Sequence, residues 1–175
     1  VKPVKFLLAA AVAASAAGLA IAQTSGANTA INKADAARLV AIAQANIAEV
    51  EAGNLALEKS SNADVKAFAK MMIDDHTRGL EETKKVAAAK NVTLPSEPDA
   101  AHKKLAAELK ALSGSGFDST YVKKAGVEDH TKVHAALRKD IDAAQDADVK
   151  ALAIKLEPTV AHHLAMAKKL GATPK

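Results

Sequence analysis

The sequence predicts an all-α fold, an antiparallel four-helix bundle with a short extra helix in the long crossover between its second and third helices. Three observations predict it. Apolar residues recur at spacings of three and four in four long stretches, the mark of one buried helix face. No segment alternates apolar and polar residues with the period of a strand. The connections run short, long, short, so the first and last helix pairs form hairpins and the middle link crosses the bundle.

The chain has 175 residues, a length for one domain rather than two. Its start reads as an export signal. Lys2 and Lys5 give a basic opening, residues 6–19 are apolar or small, and Ala20-Ile21-Ala22 fits a signal-peptidase site. Residues 1–22 are therefore expected to be cleaved ahead of Gln23, with the periplasm as destination. The apolar run is short of the ~20 residues of a spanning helix, and no cysteine follows it to carry a lipid. Residues 23–34 are polar and read as a flexible leader, and the bundle domain is expected over 35–171.

The first helix, 35–59, carries a stripe of Leu39, Ile42, Ala43, Val50, Gly53 and Leu57. Ser60-Ser61-Asn62 breaks it, and Ser61 or Asn62 can cap the next. The second, 63–90, has Val65, Phe68, Met72, His76, Leu80, Thr83 and Ala87 on its stripe. Two prolines make 91–99 a loop. A short helix over 100–112 presents Leu105, Leu109 and Leu112, and Ser113-Gly114-Ser115-Gly116 ends it. Ser115 and Asp118 resemble a capping box opening the third helix, 117–144. Its stripe is Val127, His130, His134, Leu137 and Ile141. After a tight turn at Gln145-Asp146, the fourth helix, 147–170, aligns Val149, Leu152, Leu156, Val160, His163, Ala167 and Leu170. Pro158 removes a backbone donor and is expected to kink it, and Gly171 is the expected C-terminal cap. Four helices with one long crossover make the ferritin-like plan.

Composition narrows the function. The absence of cysteine removes disulfides, thiolate nucleophiles and thiolate zinc sites. Without Lys2 and Lys5, 22 basic residues face 20 acidic ones, a net charge of +2 spread along helix faces. That argues against nucleic acid as a partner. No later segment is apolar enough to span a bilayer. Past residue 22 the only aromatics are Phe68, Phe117 and Tyr121, so the core must be Ala, Leu, Val, Ile and Met. No phosphate loop or nucleophile elbow is present. A protein partner or a second copy of the chain stays open.

The residues that carry chemistry lie at one depth. Counted from the expected helix starts, Glu49 is 14 residues in, His76 13, His130 13 and His163 16. In an antiparallel bundle such mid-helix positions share one layer. Imidazoles with one carboxylate are common ligands of zinc, iron or copper, so Glu49, His76, His130 and His163 are candidate ligands of a single transition-metal ion. The other reading is that these groups only hydrogen-bond one another and specify packing, since a lone histidine on an apolar stripe is ordinarily a core residue. Ile73, Val127 and Val160 stand where a di-iron site needs Glu three residues before His, so ferroxidase chemistry is not expected. Met72 and Met166 share helix faces with His76 and His163. Their thioethers would suit copper, and gap-filling in an aromatic-poor core is the simpler explanation of them. The run 73–78 parallels 127–132, and its Asp75 and Asp129 are candidates to orient imidazoles on neighbouring helices. Tyr121 is placed to close one end of the bundle with its hydroxyl bonded. His102, His134 and His162 look peripheral, and of His162 and His163 only one can point inward.

Several motifs in order resemble one bacterial family. They are residues 48–59, 64–69 and 72–76, then Leu94-Pro95, 117–121, Asp129-His130 and 158–164. The chain resembles the family called domain of unknown function 4142, often labelled an outer-membrane protein, over about 35–170. The resemblance implies an exported, ferritin-like helical domain with Glu49, His76, His130 and His163 as its signature polar residues. It implies no activity, and no β-barrel pattern supports the label. Three functions stay in play. The first is an exported metal-binding bundle for metal buffering or envelope stress protection. The second is a non-catalytic structural or interaction bundle. The weakest is an enzyme using a Glu–His pair.

Overall fold

The computed structural model describes residues 30–172. The expected signal peptide and residues 23–29 of the leader lie outside them. The described residues are helical with no strand. In chain order the elements are α1 (Lys33–Lys59), α2 (Ala63–Ala89), α3 (Ala100–Lys110), α4 (Gly114–Thr120), a π-helical segment (Tyr121–Asp129), α5 (His130–Ala143) and α6 (Ala147–Ala172). No helix among the described residues is long and apolar enough to cross a membrane.

Local chemistry sets the ends. Asn32 accepts a hydrogen bond from the Asp35 amide (2.9 Å), so α1 begins at Lys33, inside the expected leader. Asp35 is fully buried and ties that end to the opposite hairpin. Its carboxylate accepts from the Gln145 and Asp146 amides (3.1 and 2.8 Å) and from Arg38 (2.8 Å), which also bonds Asp140. Asn62 caps α2 through the Asp64 and Val65 amides. Asn91 ends α2 in the left-handed region (φ 55°), with Val92 N–H bonded to Ala87 O and Asn91 N–H to Ala88 O. That is a Schellman closure with Asn in the place glycine usually takes. Asp99 caps α3.

The expected third helix is three pieces in one rod. It begins at Gly114, ahead of the expected capping box, with Ser113 at the cap making no side-chain bond. The π-helical segment then inserts an extra residue per turn. The buried set runs Phe117, Tyr121, Val122, Ala125, Gly126, His130 and Leu137, so Val127 and His134, expected on the stripe, are only half-buried. The rod sits hard on α6, for a Cβ on Gly126 would lie 2.8 Å from that of Ala167. In α1 the inner face past Ala43 is Asn46, Ala48, Glu49, Ala52, Gly53 and Ala56, while Val50 is half-buried and Leu57 exposed. Alanine all round the helix leaves Val50 and Leu57 as the loudest apolar signals, and they mark the wrong face. Helix α6 runs through Pro158 and past Gly171, so Gly171 is not its cap.

Two apolar clusters hold the rods. One gathers Ala52, Ala56, Phe68, Met72, Leu109, Phe117, Tyr121 and Ala167. The other gathers Leu39, Ile42, Leu137, Val149, Leu152 and Val160. The clusters also fix direction. From N- to C-terminus, α1 and α6 run from the second cluster to the first, while α2 and the 114–143 rod run from the first to the second. Because α2 and the rod point the same way, a long connection must return the chain to the starting end. On every rod the polar layer falls between the clusters, as Asn46 and Glu49, His76, His130 and His163.

Candidate metal centre

Three imidazoles from three rods meet in this layer. His76, His130 and His163 are buried, with ring centroids 5.4, 5.1 and 5.5 Å apart. Each offers one nitrogen within 4.8 Å of the others'. The π-helical segment positions His130, whose backbone N–H turns back to Val127 O while its Nδ1 bonds Ala125 O (2.9 Å).

Every ring has one nitrogen committed to an oxygen. His76 Nδ1 faces Asn46 Oδ1 (3.0 Å), His130 Nδ1 faces Ala125 O, and His163 Nε2 faces Asp75 Oδ2 (2.8 Å). The Asn46 orientation is pinned, because its Nδ2 donates to Ile42 O at 2.8 Å. All three oxygens can only accept, so each facing nitrogen carries the proton. The remaining nitrogens, His76 Nε2, His130 Nε2 and His163 Nδ1, are then lone-pair bearing in the neutral rings. His163 Nδ1 is buried and has no hydrogen-bond partner. His76 Nε2 and His130 Nε2 face each other at 3.3 Å. Making that pair a hydrogen bond would strip the donor from Asn46 Oδ1 or Ala125 O, and buried acceptors are rarely left bare. Protonating a ring is also opposed. Burial and then the neighbouring imidazoles push His76 well below the usual imidazole range. Burial lowers His130 to about 4. Burial lowers His163 too, even against its bond to Asp75.

The three nitrogens are close enough together to hold one metal ion, and one separation can be compared with a tetrahedral site. Two nitrogens bound at about 2.0–2.1 Å to a tetrahedral ion lie roughly 3.3 Å apart, the separation of His76 Nε2 and His130 Nε2. Outer nitrogens anchored to a carboxylate, an amide oxygen and a backbone carbonyl are the usual support of metal-bound imidazoles. Gly79 completes the support, since a Cβ there would lie 2.5 Å from Asn46 Oδ1. Asn46, Gly79 and the π-helical turn were not legible as site residues, whereas His76 with Asp75 and His163 were.

Glu49 is buried in the same layer but groups differently. Its Oε1 lies 3.7 Å from His130 Nδ1, the nitrogen turned to Ala125. Glu49, Asp129 and His130 form a second cluster of atoms within 4.8 Å of one another. Burial first, then the charge and hydrogen bond of Asp129, lift Glu49 well above the carboxylate range. Burial works against Asp129 as an anion, yet His102 and Glu49 hold it below the ordinary range. His102, expected at the periphery, is largely buried between Asp99 (2.8 Å) and Asp129 (3.3 Å). The Asp129 contact raises it to about 9 against the cost of burial, with Asp99 helping. Asp75 and Asp129 thus both reach an imidazole on a neighbouring helix.

The remaining candidates fall outside the imidazole group. Met72 packs in the first apolar cluster and Met166 is 38% exposed. Tyr121 stacks on Phe117 and meets Phe68 edge-on, with its hydroxyl buried and unbonded rather than bonded as expected. His134 pairs with Glu157 at 2.7 Å, and His162 is exposed beside the inward His163.

The family model described as domain of unknown function (DUF4142) matches residues 20–170. No curated protein and no solved structure matches the chain.

Proposed function

The chain belongs to the DUF4142 family, and we propose that this member is an exported, ferritin-like helical bundle that holds one transition-metal ion between His76, His130 and His163. The ferritin-like plan is supported by the shared direction of α2 and the 114–143 rod and by the long crossover joining them. Export rests on the signal-like opening of the sequence. One observation carries the metal reading: three buried neutral imidazoles have their outer nitrogens fixed by oxygens and their inner lone pairs turned toward one another. Without a cation those lone pairs repel; with one they become ligands. Three neutral nitrogen donors suit zinc, copper or iron better than magnesium or calcium. Asp75 supplies a negative charge beside His163 and offsets part of the ion's own. A role in metal buffering or envelope stress protection follows from such a site on an exported protein.

The test is elemental analysis of protein recovered from the periplasm without an affinity tag, beside the His76→Ala/His163→Ala variant. About one equivalent of a single metal, lost in the variant, is the expected result. No metal in either protein, with both equally folded, would leave the imidazole layer as a packing device. In that case His163→Leu would be neutral or stabilising.

A further inference from the structure

The three imidazoles supply three ligands, and a small space lies beside two of them. A cavity of about 40 Å³ adjoins His76 and His130, bounded on its polar side by Asn46, Glu49, Asp75 and Asp129. That is room for one water or a ligand of a few atoms. Glu49 and Asp129, which share a hydrogen bond, both stand on its wall.

The cavity lies beside a groove on the surface. Helices α1 and α5 scarcely touch, unlike α1 with α2 or α5 with α6. The seam between them is a groove of about 500 Å³, partly roofed by α3. Ile42, Ala45, Asp129, Val133 and Leu137 line both groove and cavity, so only these side chains stand between the outside and the space beside His76 and His130. The Arg38–Asp140 ion pair closes the far end of the seam (2.8 Å).

We infer that the ion held by His76, His130 and His163 keeps a fourth coordination position facing this cavity, which takes a small exogenous Lewis base entering through the α1–α5 groove. This rests on the metal reading above. The ligand is water itself or an oxygen- or nitrogen-donor anion of one to three heavy atoms. One end binds the metal, and the other meets the carboxyls of Glu49 and Asp129. A three-ligand site with a reachable fourth position is the arrangement of catalytic rather than purely structural metal centres.

Cobalt(II) loaded into the purified protein is the probe, read by its visible d–d bands while azide is added. The expected result is a saturable spectral shift. It should be slower in Ala136→Trp, which places bulk on the groove wall at an exposed position and leaves the cobalt spectrum unchanged. If azide moves the bands only in Glu49→Gln, then Glu49 closes the coordination sphere and the inference is wrong. No shift in either protein overturns it as well, and equal rates in wild type and Ala136→Trp overturn the groove as the route. A cobalt spectrum indifferent to His163→Ala would instead sink the metal reading itself.

Discussion

Gly79→Ala separates local helix preference from the demands of the site. Taken alone, alanine inside a helix is favoured over glycine by about 1 kcal/mol. At Gly79, however, the new Cβ would stand 2.5 Å from Asn46 Oδ1 and 3.3 Å from its Cγ. Asn46 cannot swing aside freely, because Oδ1 receives the His76 proton (3.0 Å) and Nδ2 holds Ile42 O (2.8 Å). Moving it leaves the buried Nδ1–H of His76 without an acceptor, a loss of about 1–3 kcal/mol, on top of the collision itself. The site term therefore exceeds the propensity term, and Gly79→Ala should be destabilised by about 1–2 kcal/mol net. Gly116→Ala is the control: nothing lies within 4 Å of its Cβ, so it should gain up to about 1 kcal/mol. Urea unfolding of both variants measures the difference, and metal affinity should fall only in Gly79→Ala. Equal or greater stability in Gly79→Ala, with metal affinity intact, would refute the claim that Asn46 is held in place by the absence of a side chain at 79.

Two further outcomes follow from the polar contacts. His102 is raised to about 9 in the folded protein from an ordinary 6.5, so the folded state binds its proton more tightly than the unfolded chain. That stabilisation is complete below pH 6.5 and is lost as pH rises through about 9, amounting to at most about 3 kcal/mol. Urea unfolding from pH 6 to 10 should show the decline in wild type and a flatter profile in His102→Gln, and parallel profiles would contradict it. Asp35→Ala should cost about 3 kcal/mol, because it leaves Arg38 short of a buried partner and the amides of Gln145 and Asp146 bare. Amide exchange at Gln145 and Asp146 should quicken with it. A loss below about 1 kcal/mol, within the ordinary range of surface substitutions, would mean that the clasp does not hold the hairpin to α1.

The sequence alone determined the helical class, the four long stretches, the crossover and the inward turn of His76, His130 and His163. Those follow from the spacing of apolar residues, which records which side of a helix avoids water. It also singled out Asp75 and Asp129, because each precedes a striped histidine in a repeated pattern. Other features depended on the tertiary structure. The face of α1 was misjudged at Val50 and Leu57, since an alanine-rich helix is set by how closely its neighbours can approach rather than by side-chain apolarity. The π-helical turn left no mark, as residues 121–130 are compatible with either winding until His130 must reach Ala125 O and its partner imidazoles. Glu49 was placed at the right depth, yet which neighbours it joins depended on helix rotation, and the structure sets it beside Asp129 and His130. His102 looked peripheral because nothing local in α3 points to Asp129, 27 residues away in sequence and 3.3 Å away in space. Periodicity reports whether a residue is inside; only packed helices decide which inside residues meet.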